Sequence, residues 1–409
     1  MGAVTSANSS SSSPVPTPWG LVILLGSLTG MGPLAIDMYL GTLPQIAETL
    51  RATPAAAQAT MATFLAGMAI GQIFYGPASD RVGRRAPLLL GSAIFLAASV
   101  GCALAANIEQ LLVWRFIQAL GACAGGVVAR AIIRDRFDHV ESARMLSLMM
   151  LIMGLAPILA PLLGTALLSL GGWRLNFWFM AAFGVAVGLA AFFQLKESRS
   201  EATAVQAAKE NPFQAYFALA HQPRLVGYAL AGALNGATLF TYISASPGLI
   251  MGTYGISTAA FPIVFGLNAI GIVGSGQLNR MLLRRLGPDA VLARASLVAA
   301  CIGVVLVLAA VTGLGGGWTV LPLIFLLLCS FGFMQGNTMA GALNVDPTRA
   351  GSISAAMGAL SFATGALASS LAALFHDGTG RPMALVMLAA LVGSAMALRF
   401  LALPRAAQA

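Results

Sequence analysis

Charge is scarce in this 409-residue sequence, with Asp, Glu, Lys and Arg together making up 9% of it. The only lysines are Lys196 and Lys209, and neither follows a glycine-rich loop. A G-x-x-x-x-G-K-[ST] phosphate cradle is therefore absent, and ATP hydrolysis by this chain is excluded. Histidine occurs at His139, His221 and His376, scattered over expected loops with no second ligand at metal spacing. That scatter argues against a metal centre or a nucleophile–base pair, and so against a membrane-embedded hydrolase. The four cysteines, Cys102, Cys123, Cys301 and Cys329, lie far apart inside apolar runs and suggest neither a disulfide framework nor a metal site.

Apolar residues are what the chain has in excess. They make up 58% of it and the mean hydropathy is +0.86, against roughly 45–50% apolar usage in soluble domains. A bilayer span needs about 20 mostly apolar residues whose backbone groups are all satisfied within the segment. Twelve such runs are expected, over 18–44, 55–79, 86–106, 109–133, 143–168, 173–195, 223–249, 258–281, 289–312, 318–342, 349–374 and 381–403. The fold class is thus an all-α membrane protein with almost nothing left for a soluble domain.

The net charge of +9 takes its meaning from placement. With both termini on the cytoplasmic side, eighteen of the 22 basic residues fall in cytoplasmic loops and helix ends, three (Arg51, Arg174, Arg381) fall outside, and Arg115 lies within a span. This is the positive-inside asymmetry of a membrane protein, so the basic balance reflects topology and no nucleic-acid partner is expected.

Residues 1–17 are Ser/Thr/Pro-rich without a basic n-region and read as a disordered cytoplasmic tail. "MGAVTS" and "NSS" at Asn8 match myristoylation and glycosylation patterns that are too short to carry a modification by themselves. Residues 196–222 form the longest polar segment and divide a bundle over 18–195 from a second over 223–404. The halves echo each other weakly: "GSGQLNRMLLRRLG" has Asn279-Arg280 where "GPASDRVGRR", about 200 residues earlier, has Asp80-Arg81. Two six-helix pseudo-repeats facing a midplane site are expected.

The stretch "GPASDRVGRR" concentrates charge in a short turn between the second and third spans. Gly76 and Gly83 permit the turn, Arg81, Arg84 and Arg85 meet the inner headgroups, and Asp80 either ties to them or caps a helix as a latch between halves. The stretch resembles motif A of the major facilitator superfamily. "RFIQALGACAGG" (Arg115 to Gly126) resembles motif B, and "MGLAPILAPLLG" (Met153 to Gly164) resembles the antiporter motif C, although "APLLGTA" departs from its fuller G-P-x-x-G-G ending. With "DMYL" and "ISASP", the sequence is similar to the bicyclomycin/chloramphenicol-type (Bcr/CflA) drug–proton antiporters.

The resemblance implies the major facilitator fold, protons as coupling ion with no cofactor, drug-like small molecules and membrane lipid as partners, and a bacterial inner-membrane location. A monomer that exports amphipathic antibiotics by alternating access is expected; a proton-coupled importer or uniporter of a small metabolite is the alternative.

Ionisable residues inside a span are expensive and mark function. Asp37 and Arg115 qualify, at about 24 Å from one face and about 9 Å from the other, hence at similar depth. Asp37 is the expected proton carrier and Arg115 its tuning partner; the alternatives are a helix-end cap or a static ion pair. Tyr39, Gln118, Asn235, Phe240, Tyr242, Asn268, Gln335 and Asn337 are candidate substrate contacts that would otherwise serve helix packing. Gly154, Pro157, Pro161 and Gly164 form a motif-C-like gate in which the prolines remove backbone donors and bend the helix, or a static kink.

Overall fold

The computed structural model describes residues 19–209 and 212–403. The tail at 1–17 with its two modification patterns, and Arg405, lie outside them.

Among the described residues every element is helical. The first half contains α1 (Trp19–Asp37), a 3-10 turn (Leu40–Thr42), α2 (Leu43–Thr49), α3 (Pro54–Val82), α4 (Arg85–Ala103), α5 (Ile108–Arg136), α6 (His139–Gly171) and α7 (Trp173–Gln194). Two short helices, α8 (Glu201–Lys209) and α9 (Pro212–Ala220), lie in the polar segment. The second half contains α10 (Pro223–Pro247), which runs into a π-helical turn (Gly248–Thr253), then α11 (Phe261–Leu282), α12 (Pro288–Thr312), α13 (Gly317–Val345), α14 (Ala350–Leu374) and α15 (Arg381–Ala397).

Helix starts follow local chemistry. Thr53 caps α3 by accepting the Ala56 amide at 3.2 Å, with Pro54 in the first turn. Asn107 caps α5 by accepting the Gln110 amide at 2.9 Å, while the Gln110 side chain accepts the Ala106 amide.

Among the described residues, eleven helical stretches are long and apolar enough to cross a membrane. The expected seventh span, α10, is a 25-residue helix that composition does not mark, because it carries Asn235, Thr238, Thr241, Ser244 and Ser246. All five are buried. Thr238 and Thr241 donate to the carbonyls of Leu234 and Ala237 one turn back, so a helix surrounded by protein tolerates them. Large apolar side chains such as Leu90, Leu159, Phe193, Val298, Leu326 and Leu385 are exposed on the outside of the bundle. That is the distribution a lipid-facing surface requires.

Two expectations change. The first span is not one helix: it breaks after Asp37, where Met38 and Tyr39 turn before the 3-10 turn begins. The connection between α3 and α4 is only Gly83-Arg84. Gly76 sits inside α3 facing open space, so the turn rests on Gly83 alone, at φ +108°. Helix α6 runs for 33 residues with Pro157 and Pro161 inside it.

The two halves meet along α3 against α14 and α6 against α11. At the end away from the Gly83 turn, Gln58 of α3 donates to Ser244 Oγ of α10 at 3.4 Å.

Candidate functional site

Asp37 is the last residue of α1, is 3% exposed, and its carboxyl has no hydrogen bond or ion pair among the described residues. No countercharge locks it in one ionisation state. Across the interface, Tyr242 of α10 belongs to the same buried cluster as Ile36 and Met38, which flank the acid.

Arg115 of α5 is fully buried, and no ion pair joins it to Asp37. The alternative of a static ion pair is not realised among the described residues, and Arg115 sits instead in an aromatic cage. The guanidinium lies 4.1 Å from the Tyr39 ring and 4.2 Å from the Phe64 ring, with Phe177 at 5.9 Å. Its Nη1 donates to Gln118 Oε1 at 2.7 Å, while Nε and Nη2 have no partner. The similar depth of the two ionisable residues therefore appears as Arg115 stacked on Tyr39, two residues beyond the acid; ring faces attract a desolvated cation even without a carboxylate.

Two candidate substrate contacts, Gln118 and Tyr39, have their polar atoms engaged within the first half. Gln118 is fully buried and satisfied, donating to Ser99 Oγ at 2.8 Å and to the Met180 sulfur. The Tyr39 hydroxyl is bonded to Thr60 Oγ1 at 2.9 Å. Both belong to the core of the first half.

In the second half Asn337 donates to Asn279 Oδ1 at 3.0 Å, tying α13 to α11, and is likewise a packing contact. Asn268 donates to the Tyr242 hydroxyl at 2.6 Å, and Tyr242 stacks on Phe265. Phe240 packs on Phe362. Asn235 Nδ2 and Gln335 Oε1 are buried without a partner. Of the candidate contacts, Asn235 and Gln335 keep polar capacity to spare.

Around the Gly83 turn, Arg84 is 3% exposed and donates to Asp80 and to Asp135 Oδ2, the latter at 2.7 Å. Asp80 thus closes a network within the first half. The cap on α4 is a different acid: Glu197 accepts the amides of Arg84 and Arg85 at 2.8 and 3.1 Å, and those of Ser198 and Arg199 at 3.0 and 2.9 Å. Burial pushes the Glu197 carboxyl up, but these four donors outweigh it and hold the acid below its ordinary 4.5. A methyl at Gly83 would lie 2.6 Å from Glu197 Oε2, a second reason for glycine there. Arg85 lies over the Phe192 ring and donates to the Phe192 carbonyl at 2.7 Å. Arg81 donates to the Ala207 carbonyl of α8, and Arg199 donates to the Asp80 and Arg81 carbonyls, binding the linker to the turn. Sequence reasoning missed Asp135 and Glu197; the signal was their position at helix ends facing an otherwise uncompensated arginine cluster.

The motif-C-like residues divide between two neighbours. Gly154 approaches Val273 of α11, whereas Gly164 is pressed against the Met38 backbone at the break in α1. Pro161 is buried and Pro157 half-buried between them.

The sequence pattern described as Major Facilitator Superfamily matches residues 25–373. The chain belongs to that superfamily. This facilitator is 34% identical over 381 residues to an uncharacterized MFS-type transporter, YdgK, of Bacillus subtilis, covering 91% of this chain and 93% of that one. It is 27% identical to a bicyclomycin resistance protein homolog of Haemophilus influenzae, over 93% of this chain and 95% of the relative. It is 37% identical to the multidrug resistance protein MdtL of Escherichia coli, over 58% of this chain and 60% of the relative. Its fold is similar to that of a D-xylose–proton symporter, with a TM-score of 0.71 at 16% identity over 94% of this chain and 97% of the other. A bacterial homologue of the lysosomal transporter Spinster, in an inward-facing occupied form, gives 0.69 at 17%, over 95% and 97%. This facilitator, similar to Bcr/CflA-type drug transporters, is a multi-pass protein of the bacterial inner membrane, and its relatives are transporters, not enzymes.

Proposed function

We propose that this facilitator is a proton-coupled exporter of amphipathic antibiotics of the chloramphenicol or bicyclomycin kind, working by alternating access. The observation that carries the coupling is Asp37, 3% exposed at a helix break with no ionic partner. A carboxyl so placed can take up a proton in one state and release it in another, and an acid within a span is retained where transport needs it. The relatives named for bicyclomycin and multidrug resistance support the substrate class. Asn235 and Gln335, with spare polar capacity, and the aromatic faces of Phe240 and Tyr242 suit a ligand that is apolar on one side and polar on the other. The placement of the arginines and the buried helix α10 support twelve spans with both termini cytoplasmic.

Expression in a pump-deficient strain should raise resistance to chloramphenicol. In everted vesicles chloramphenicol should drive proton movement with the native chain and none with Asp37→Asn, which should still bind the drug. Proton movement that persists in Asp37→Asn would place coupling elsewhere, and unchanged sensitivity across a drug panel with confirmed insertion would remove the substrate class.

A further inference from the structure

The break that carries Asp37 is held from outside its own helix. The Met38 carbonyl, one residue beyond the acid, rests on the bare Cα of Gly164 in α6. A methyl there would overlap the carbonyl oxygen and stand 2.7 Å from its carbon and 3.1 Å from the Met38 Cα. The opposing atoms are backbone, so nothing can swing aside. No other glycine among the described residues is approached so tightly.

Gly164 is itself held from the far side. Asn176 of α7, fully buried, donates Nδ2 to the Gly164 carbonyl at 3.3 Å and leaves its Oδ1 without a partner. Helix α7 also grips the chain at the break and just beyond it: Phe177 packs against Tyr39 at 6.1 Å, and the Trp173 amide donates to Gln45 Oε1 at 2.7 Å.

Toward its other end α6 lies against the second half. Methyls at Gly154 and Gly266 would stand 3.9 Å from Val273 and 4.0 Å from Ile158, joining α6 to α11. Pro157 lies within that contact and Pro161 between it and Gly164, and each removes a backbone hydrogen bond from this stretch of α6.

We infer that Gly164 and Asn176 are positioning residues for proton coupling: they seat the α1 break so that displacement of α6 against α11 changes the surroundings of Asp37. The inference rests on Asp37 as the proton carrier. The charged and titratable groups around the break are Arg115 of α5, Tyr242 of α10, Arg174 of α7, and Tyr39 itself. Arg174 is engaged with the Ala105 carbonyl at 2.9 Å. Helix α6 brings no charged side chain from its span, Arg144 and Glu141 lying in its first two turns. The seat therefore acts through geometry and not through a charge of its own.

The test uses Gly164→Ala and Asn176→Leu in everted vesicles, with chloramphenicol as probe. Binding, read by tryptophan fluorescence, should stay within about twofold of the native chain. Drug-driven proton release should fall about tenfold, and its pH of half-maximal rate should move by about half a unit or more. A purely structural role would lower yield or thermostability and leave that pH unchanged. Profiles that superimpose on the native one, in variants that insert and bind, overturn the inference. If Gly164→Ala fails to accumulate, Asn176→Leu decides, since it removes the brace without adding bulk between α1 and α6. Should Asp37→Asn leave proton release intact, the coupling reading falls. The seat is then judged by the rate at which a hydrophobic carbodiimide labels Asp37: an altered rate in the variants supports it and an unchanged rate refutes it.

Discussion

Arg115 shows how a buried cation can be accommodated without an acid. Its guanidinium is stacked between the Tyr39 and Phe64 rings and keeps one hydrogen bond, to Gln118. A lysine retains the charge but loses the planar face and the fork of donors. Arg115→Lys should therefore lose thermostability in detergent on the scale of a desolvated cation–π contact, about 2 kcal/mol. Fluorescence-detected size exclusion after heating would measure it, and an unchanged melting profile would show that the cage is incidental. That Arg115 and Asp37 lie in the membrane at similar depth was legible in the sequence, because each carries charge through an apolar run. That they do not pair was not, because the direction of a side chain about a helix axis leaves no mark on residue spacing.

Between helices, the Gly83 turn works through Glu197, more than one hundred residues further along the chain. Its carboxylate gathers four amides from the start of α4 and the start of the linker. Glu197→Ala should expose the linker, and tryptic cleavage after Lys196 and Arg199 should accelerate severalfold while the bundle elutes unchanged. The pH dependence has a definite sign. The acid is held below its ordinary 4.5, so its contribution is fully present above that value and is lost as pH falls through the lower folded value. Exchange of the Arg84 and Arg85 amides, corrected for intrinsic rate, should quicken in that acid range and be insensitive to pH in Glu197→Ala. Motif A itself could be read from the sequence, whereas its capping acid could not, since a contact across so many residues depends on how α7 returns beside α4.

At the scale of the molecule, the halves are joined at the end away from the Gly83 turn, where Gln58 meets Ser244. If transport alternates access, this contact must open in every cycle. A disulfide between Gln58→Cys and Ser244→Cys, in a background lacking the four native cysteines, should abolish drug efflux on oxidation and restore it on reduction. Efflux that continues in the cross-linked protein would rule out opening at this end.

The sequence by itself determined the membrane class, the position of most spans, the asymmetry of the arginines and the superfamily motifs. These follow from the cost of placing polar backbone and charge in hydrocarbon, a cost borne residue by residue along the chain. Where α1 breaks, that Tyr39 and Gln118 meet around Arg115, and that Gly164 of α6 seats the residue after Asp37 emerge only from the way the helices pack. The physical reason is the solvent: helices apolar on every side carry no stripe to show which face turns inward. Their facing is set by close packing of small residues and by hydrogen bonds between segments far apart in the chain.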